Sequence, residues 1–148
     1  MENYRHILLA LDFSEHHPKV AERALDLAHK HEAKLSLIHV VENLPIGDTS
    51  YGPIVPFDLD LTEQMVESAR QRLNQLAVSL QLPKENVYVE IGSPKAEIVR
   101  VAEENGVDLI VVGSHGRHGI ALLLGSTAGS VIHHAKCDVL AVRLRADE

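Results

Sequence analysis

Apolar residues arrive in five short bursts along the chain: "HILLAL" (6–11), "LSLIHVV" (35–41), "VYVEI" (87–91), "DLIVV" (108–112) and "DVLAVRL" (138–144). Each has the length of a strand and is rich in Val, Ile or Leu, which predicts β-structure. Between the bursts the apolar positions recur at helical spacing. Val20, Ala21, Ala24, Leu27 and Ala28 make one stripe over 18–31, and Met65, Ala69, Leu73, Leu76 and Leu80 another over 61–80. Shorter patterns of the same kind cover 94–104 and about 126–135. Strand and helix alternate throughout, as in an α/β fold whose parallel sheet is covered on both faces by crossover helices.

The strands differ in how completely they are apolar. "NVYVEIG" alternates Val87, Val89 and Ile91 with Tyr88 and Glu90, the pattern of an edge strand. A doubly wound five-stranded sheet of order 3-2-1-4-5 places strands three and five at its edges. The last strand is nearly continuous in apolar residues, and an apolar edge invites pairing with another chain. A homodimer through residues 138–144 is therefore expected. The stretch "ENLPIGDTSYGPIVPFDLD" (42–60), with three prolines and two glycines, reads as a long loop.

At 148 residues the chain has the length of one domain and can bury a substantial core unaided. Its net charge of −7, from 21 acidic and 14 basic residues, gives a long-range field that repels nucleic acid and anionic membrane. A small anion such as a nucleotide is compatible with that field, because backbone amides at a helix start hold phosphate locally. No apolar run approaches the ~20 residues that span a bilayer. Cys137 is the single cysteine and has no internal disulfide partner, and the opening "MENYRH" lacks the regions of a signal peptide. The expectation is a soluble, cytoplasmic protein with no nucleic-acid or membrane partner.

The predicted strand order locates a site. Ligands of open α/β sheets bind beyond the carboxyl ends of the strands where the winding direction reverses, here between strands one and four. The loops concerned are "DFSEHHP" (12–18) and "GSHGRHGIALLLGS" (113–126). Asp12 follows "ILLAL" directly; its carboxylate suits a ribose hydroxyl or Mg²⁺, and equally a turn. Ser14 is expected to cap the first helix. Gly113 and Gly116 let the backbone turn, and "GST" (125–127) stands where the next helix begins. Ser126 and Thr127 supply hydroxyls there, beside free amides that favour an anion. Helix capping alone explains Ser126 but leaves the glycine density without a reason. The loop holds no lysine and is not a Walker A sequence.

Taken together, "YRHILLALDFSE", "LSLIHVVE", "DLIVVGSHGRHG" and "LGSTAGSVIHHAKCDVLAVR" resemble the universal stress protein family, especially its A type, over nearly the whole chain. The resemblance implies the 3-2-1-4-5 sheet, a homodimer and a cytoplasmic role in survival under stress. ATP-binding members resemble G-x₂-G-x₉-G-[ST]. Gly113, Gly116, Gly125 and Ser126 match the residue types, with eight residues between Gly116 and Gly125 where that pattern has nine. By the same resemblance Asp12 would meet the ribose or metal region and Val40 the adenine through its backbone. Val112 and Gly113 would line the pocket, and Thr127 would add to its phosphate end.

Other chemistry is poorly supported by the sequence. The histidine pairs at 16–17 and 133–134 place neighbours on different sides of a helix, so no metal site is expected from them. His39 reads as a core or edge histidine, and Cys137 as a small apolar residue without an activating neighbour. Three function classes follow. One is a stress protein that binds ATP with Mg²⁺ as a regulatory ligand, with no catalytic residues and at most slow hydrolysis. A second is a dimeric stress protein that acts through protein interactions without nucleotide. The third is an enzyme or electron carrier on the same sheet, which the scarcity of aromatic residues disfavours.

Overall fold

Successive side chains of β1 (His6–Ala10) leave the strand on opposite sides, and both sides are covered. Ile7 and Leu9 enter one core and Leu8 the other, all three wholly inaccessible to solvent. A strand apolar on both faces must lie inside a sheet with a layer of helices above and below it. The computed structural model, which describes residues 3–13, 17–42, 57–114 and 126–143, has that arrangement.

Four further strands, β2 (Lys34–Val41), β3 (Val87–Ile91), β4 (Leu109–Gly113) and β5 (Asp138–Val142), join β1 in one parallel sheet of order β3-β2-β1-β4-β5. The crossovers carry α1 (His17–His31), α2 (Phe57–Ser79), α3 (Pro94–Glu104) and α4 (Ser126–His134). Helices α1 and α2 cover one face, where Val20, Ala24 and Leu73 pack on Ile7, Leu37 and Val111. The other face lies under α3 and α4, with Ile98, Val101 and Val131 against Leu8, Ile38 and Ile110. Burying each such Leu, Ile or Val is worth about 1.5–3 kcal/mol. The sequence reading of the fold holds in class, strand order and edge positions.

The edges are finished differently. On β3, Glu90 is drawn to Arg100 of α3, whose guanidinium also donates to Glu97 at 2.7 Å and to Glu104 at 3.0 Å. On β5 the apolar residues Val139, Leu140 and Ala141 remain half-buried. Three helices end alike. Behind α3, the Val107 N–H returns to the Ala102 carbonyl (3.0 Å) across Gly106, whose φ of +67° is the left-handed turn that glycine makes without strain. The same closure follows α1 and α2, but with Glu32 (φ 54°) and Gln81 (φ 60°) at the left-handed position.

Two boundaries differ from the periodic reading by more than one residue. Helix α2 begins at Phe57, inside the stretch read as loop, because an apolar stripe marks where a helix packs and not where its backbone bonding starts. Strand β5 ends at Val142, two residues before the apolar run does. Residues 43–56 and 115–125 lie outside the described residues, as does Ser14. Among the described residues no helix is long and apolar enough to cross a membrane.

Candidate functional site

The two ends of the sheet are built differently. At the amino end the Asp108 carboxylate accepts the backbone N–H groups of Arg5 (2.9 Å) and His6 (3.0 Å), and the Tyr4 hydroxyl donates to Asp138 at 2.7 Å. These bonds lace β1, β4 and β5 together. At the carboxyl end β1 stops early. Its pairing closes at Ala10–Ile38 on one side and Leu9–Val111 on the other, while β2 continues to Val41 and β4 to Gly113. A gap floored by the end of β1 is left between them.

The walls of that gap are backbone. In a parallel strand, alternate residues turn both N–H and C=O toward the same neighbour. The Leu11 N–H donates to the Ile38 carbonyl (2.9 Å), so Ile38, and with it Val40, addresses the β1 side. The Gly92 N–H donates to the Val41 carbonyl (2.9 Å), so the odd residues of β2 address β3. A continued ladder would bring the Val40 N–H to the Leu11 carbonyl, but that carbonyl accepts from Nδ1–H of His39 at 2.7 Å. Across the gap the Ser114 N–H donates to the Val142 carbonyl (2.8 Å), which turns Ser114 and Val112 toward β5 and leaves Gly113 addressing β1. Val40 and Gly113 thus flank one opening with adjacent donors and acceptors, the pattern needed to read the edge of a planar base.

Side chains complete part of the picture. Val40 and Val112 are buried in the same core as Ala128 of α4. Because α4 runs back against the strands, its first turn, with Thr127 half-buried in it, lies at this end of the sheet. Ser126 is the first helical residue. Gly116 and Gly125 fall outside the described residues. Asp12 is exposed just beyond β1. Asp12, Val40, Val112, Gly113 and the start of α4 therefore lie at the same end of the sheet.

Sequence reasoning missed two residues near Asp12, Phe13 and the Arg72 that lies against it. Phe13 has a φ of 60°, uncommon for a residue with a large side chain. Its ring lies 4.2 Å from the His39 ring, tilted by 33°, and 4.0 Å from the Arg72 guanidinium of α2. A phenylalanine directly after a strand end, in a chain with only two, was the available signal for Phe13. His39 is half-buried and bonded, as expected of a core-edge histidine. Nothing in the spacing pointed to Arg72.

Away from the gap, Cys137 lines a pocket of about 160 Å³ beside α3. Burial pushes its thiol up, the direction of an inert cysteine. Lys136 pairs with Glu103 at 3.2 Å.

The arrangement has close counterparts. Residues 3–143 match the Universal stress protein family. Universal stress protein A homolog 2 of Coxiella burnetii is 46% identical over 147 residues, covering 98% of this chain and 99% of that protein. Universal stress protein UspA from Lactobacillus plantarum has a similar structure, with a TM-score of 0.80 and 26% identity over 97% of this chain and 100% of that one. A universal stress protein solved in complex with cAMP shares the fold, with a TM-score of 0.60 and 23% identity over 95% of this chain and 98% of that one. A family match over residues 3–143, on a sheet of this order, makes the chain a member of the universal stress protein family.

Proposed function

We propose that the gap at the end of β1 binds an adenine nucleotide, ATP with Mg²⁺, as a regulatory ligand of a cytoplasmic stress protein. The observation that carries this reading is the orientation of Val40: its N–H and C=O address a space that β1 has left and whose nearest ladder acceptor is already taken by His39. A peptide group turned into such a space suits the donor–acceptor edge of adenine. Gly113 and Val112 would line the opposite wall, and Asp12 would meet the ribose. The phosphates would extend toward Gly116, Gly125, Ser126 and Thr127, where a helix start favours anions. Mg²⁺ fits a site with one carboxylate, since it binds through the phosphates and keeps several waters, and Asp12 is the residue to hold one of them. The solved cAMP complex is a precedent for an adenine nucleotide on this fold.

The same reading includes a homodimer through β5. The Ser114–Val142 bond turns the backbone of Val142 and Leu140 toward β4, so that the N–H and C=O of Val139 and Ala141 face the open edge. That edge offers a ladder to a second copy.

Calorimetric titration with ATP and Mg²⁺ tests the ligand. Binding at or below millimolar concentration is expected for the unaltered protein. Asp12→Ala should lose about 10- to 100-fold in affinity, the worth of a hydrogen bond to a charged group, with an unchanged circular dichroism spectrum. Gly116→Val should abolish binding by filling the phosphate space. Absence of nucleotide binding by the unaltered protein would overturn the reading in favour of a protein-interaction role.

A further inference from the structure

We infer that Phe13, His39 and Arg72 form a clamp that sets the direction of Asp12, and that Arg72 is a positioning residue for the nucleotide gap. That Asp12 meets a ligand rests on the function proposed above; the clamp itself rests on geometry alone.

Asp12 lies between two pinned residues. On its amino side, Leu11 is held through both backbone groups: its N–H donates to the Ile38 carbonyl at 2.9 Å and its carbonyl accepts from His39 at 2.7 Å. On its carboxyl side, Phe13 occupies the left-handed region at φ 60°, a conformation that costs an L-residue with a Cβ about 1–2 kcal/mol. Its ring packs on the core layer beneath α1 and α2 and meets two flat groups. One is the His39 ring, 4.2 Å away between centroids; the other is the Arg72 guanidinium, 4.0 Å from the ring centre in the geometry of a cation–π contact.

His39 consequently joins both sides of the device, bonding the residue before Asp12 and touching the ring of the residue after it. Arg72 supplies the contact from a second element, on α2 beside the fully buried Leu73. The clamp spans the end of β1, β2 and α2, so the backbone at an exposed loop position inherits the rigidity of the core. An exposed carboxylate on a flexible loop would lose entropy on meeting a ligand, whereas one held between fixed residues is preorganised. Arg72 acts on the gap through Phe13.

The test has a ligand-free arm and a nucleotide arm. In the ligand-free protein, the coupling between the amide and α protons of Phe13, with the backbone carbon shifts, reports its φ by NMR. Arg72→Ala, a change at an exposed side chain, should move both away from the left-handed signature. An unchanged signature would overturn the clamp. Phe13→Gly provides a second variant that folds without the ring, because glycine takes the left-handed conformation freely; adding Arg72→Ala to it should have no further effect on the amide exchange of Asp12. An additional effect would show that Arg72 acts otherwise than through Phe13.

In the nucleotide arm, Arg72→Ala should weaken ATP–Mg²⁺ binding about tenfold in the presence of Asp12 and not at all in the Asp12→Ala background. Equal losses in both backgrounds would assign Arg72 a direct or merely structural role. If the unaltered protein binds no nucleotide, the functional reading fails, and the Phe13 couplings still decide the clamp.

Discussion

Nδ1–H of His39 donates to the carbonyl of Leu11 at 2.7 Å, at the point where the β1–β2 ladder stops one step short of Val40. The carbonyl that the imidazole meets is the one that Val40 N–H would reach next.

Removing the imidazole should therefore lengthen the ladder. In His39→Ala the Leu11 carbonyl becomes available, Val40 N–H captures it, and hydrogen exchange at the Val40 amide slows. One hydrogen bond is traded for another, so the net stability change stays within about 1.5 kcal/mol. ATP affinity should fall as the gap narrows. Exchange at Val40 that stays as fast as in the unaltered protein would contradict this account.

The dimer expected at β5 is best tested at the open edge itself. Ala141→Pro removes an N–H that faces away from β4, a position where an edge strand tolerates proline. Light scattering should then report a monomer with an intact fold. Val142 is the wrong site for such a test, since it is 5% exposed within the core and a charge there would unfold the domain. A monomeric unaltered protein at micromolar concentration would refute the dimer.

His6 should make stability depend on pH. A carbonyl only accepts, so Nδ1 of His6 carries the hydrogen that Asn105 receives at 3.1 Å, and Nε2 accepts from the Ser36 hydroxyl at 2.7 Å. Ser36 is fully buried. Burial lowers the pKa of His6 below its ordinary 6.5, with the bond to Asn105 opposing in part. The unfolded chain then takes up a proton before the folded one does. Stability is complete above 6.5 and is lost as the pH falls from there through the lowered folded value. Urea unfolding across that range should show the decline, and His6→Gln should flatten it.

Gln81 offers a stabilising change of an unusual kind. It closes α2 at φ 60° while Leu82 N–H returns to the Ala77 carbonyl at 2.8 Å. Gln81→Gly should raise the unfolding free energy by about 1 kcal/mol, by removing left-handed strain that outweighs glycine's extra entropy in the unfolded state. Thermal unfolding reads the result, and a lowered midpoint would show that the strain is relieved elsewhere.

The sequence by itself determined the layers of this protein. Ile7 and Leu9 against Leu8, and Leu37 against Ile38, already assign each residue to a face, because the strand period is two and both faces are apolar. Alternation of strand with helix made the sheet parallel, and the alternating "VYVEI" marked β3 as an edge. Strand order then pointed to the loops that follow β1 and β4, with Asp12 and Gly113 at their starts, while Val40 and Val112 entered only through the family resemblance. What only the tertiary structure decided is where ladders stop and what holds their ends. His39 diverting the Leu11 carbonyl, Phe13 turned left-handed, and Arg72 reaching it from α2 are contacts between elements far apart in the chain. Such contacts depend on the register and length of neighbouring strands, which no local period encodes. The burial of His6 on Ser36 has the same origin, since a histidine opening an apolar burst looks identical whether its ring meets water or the core.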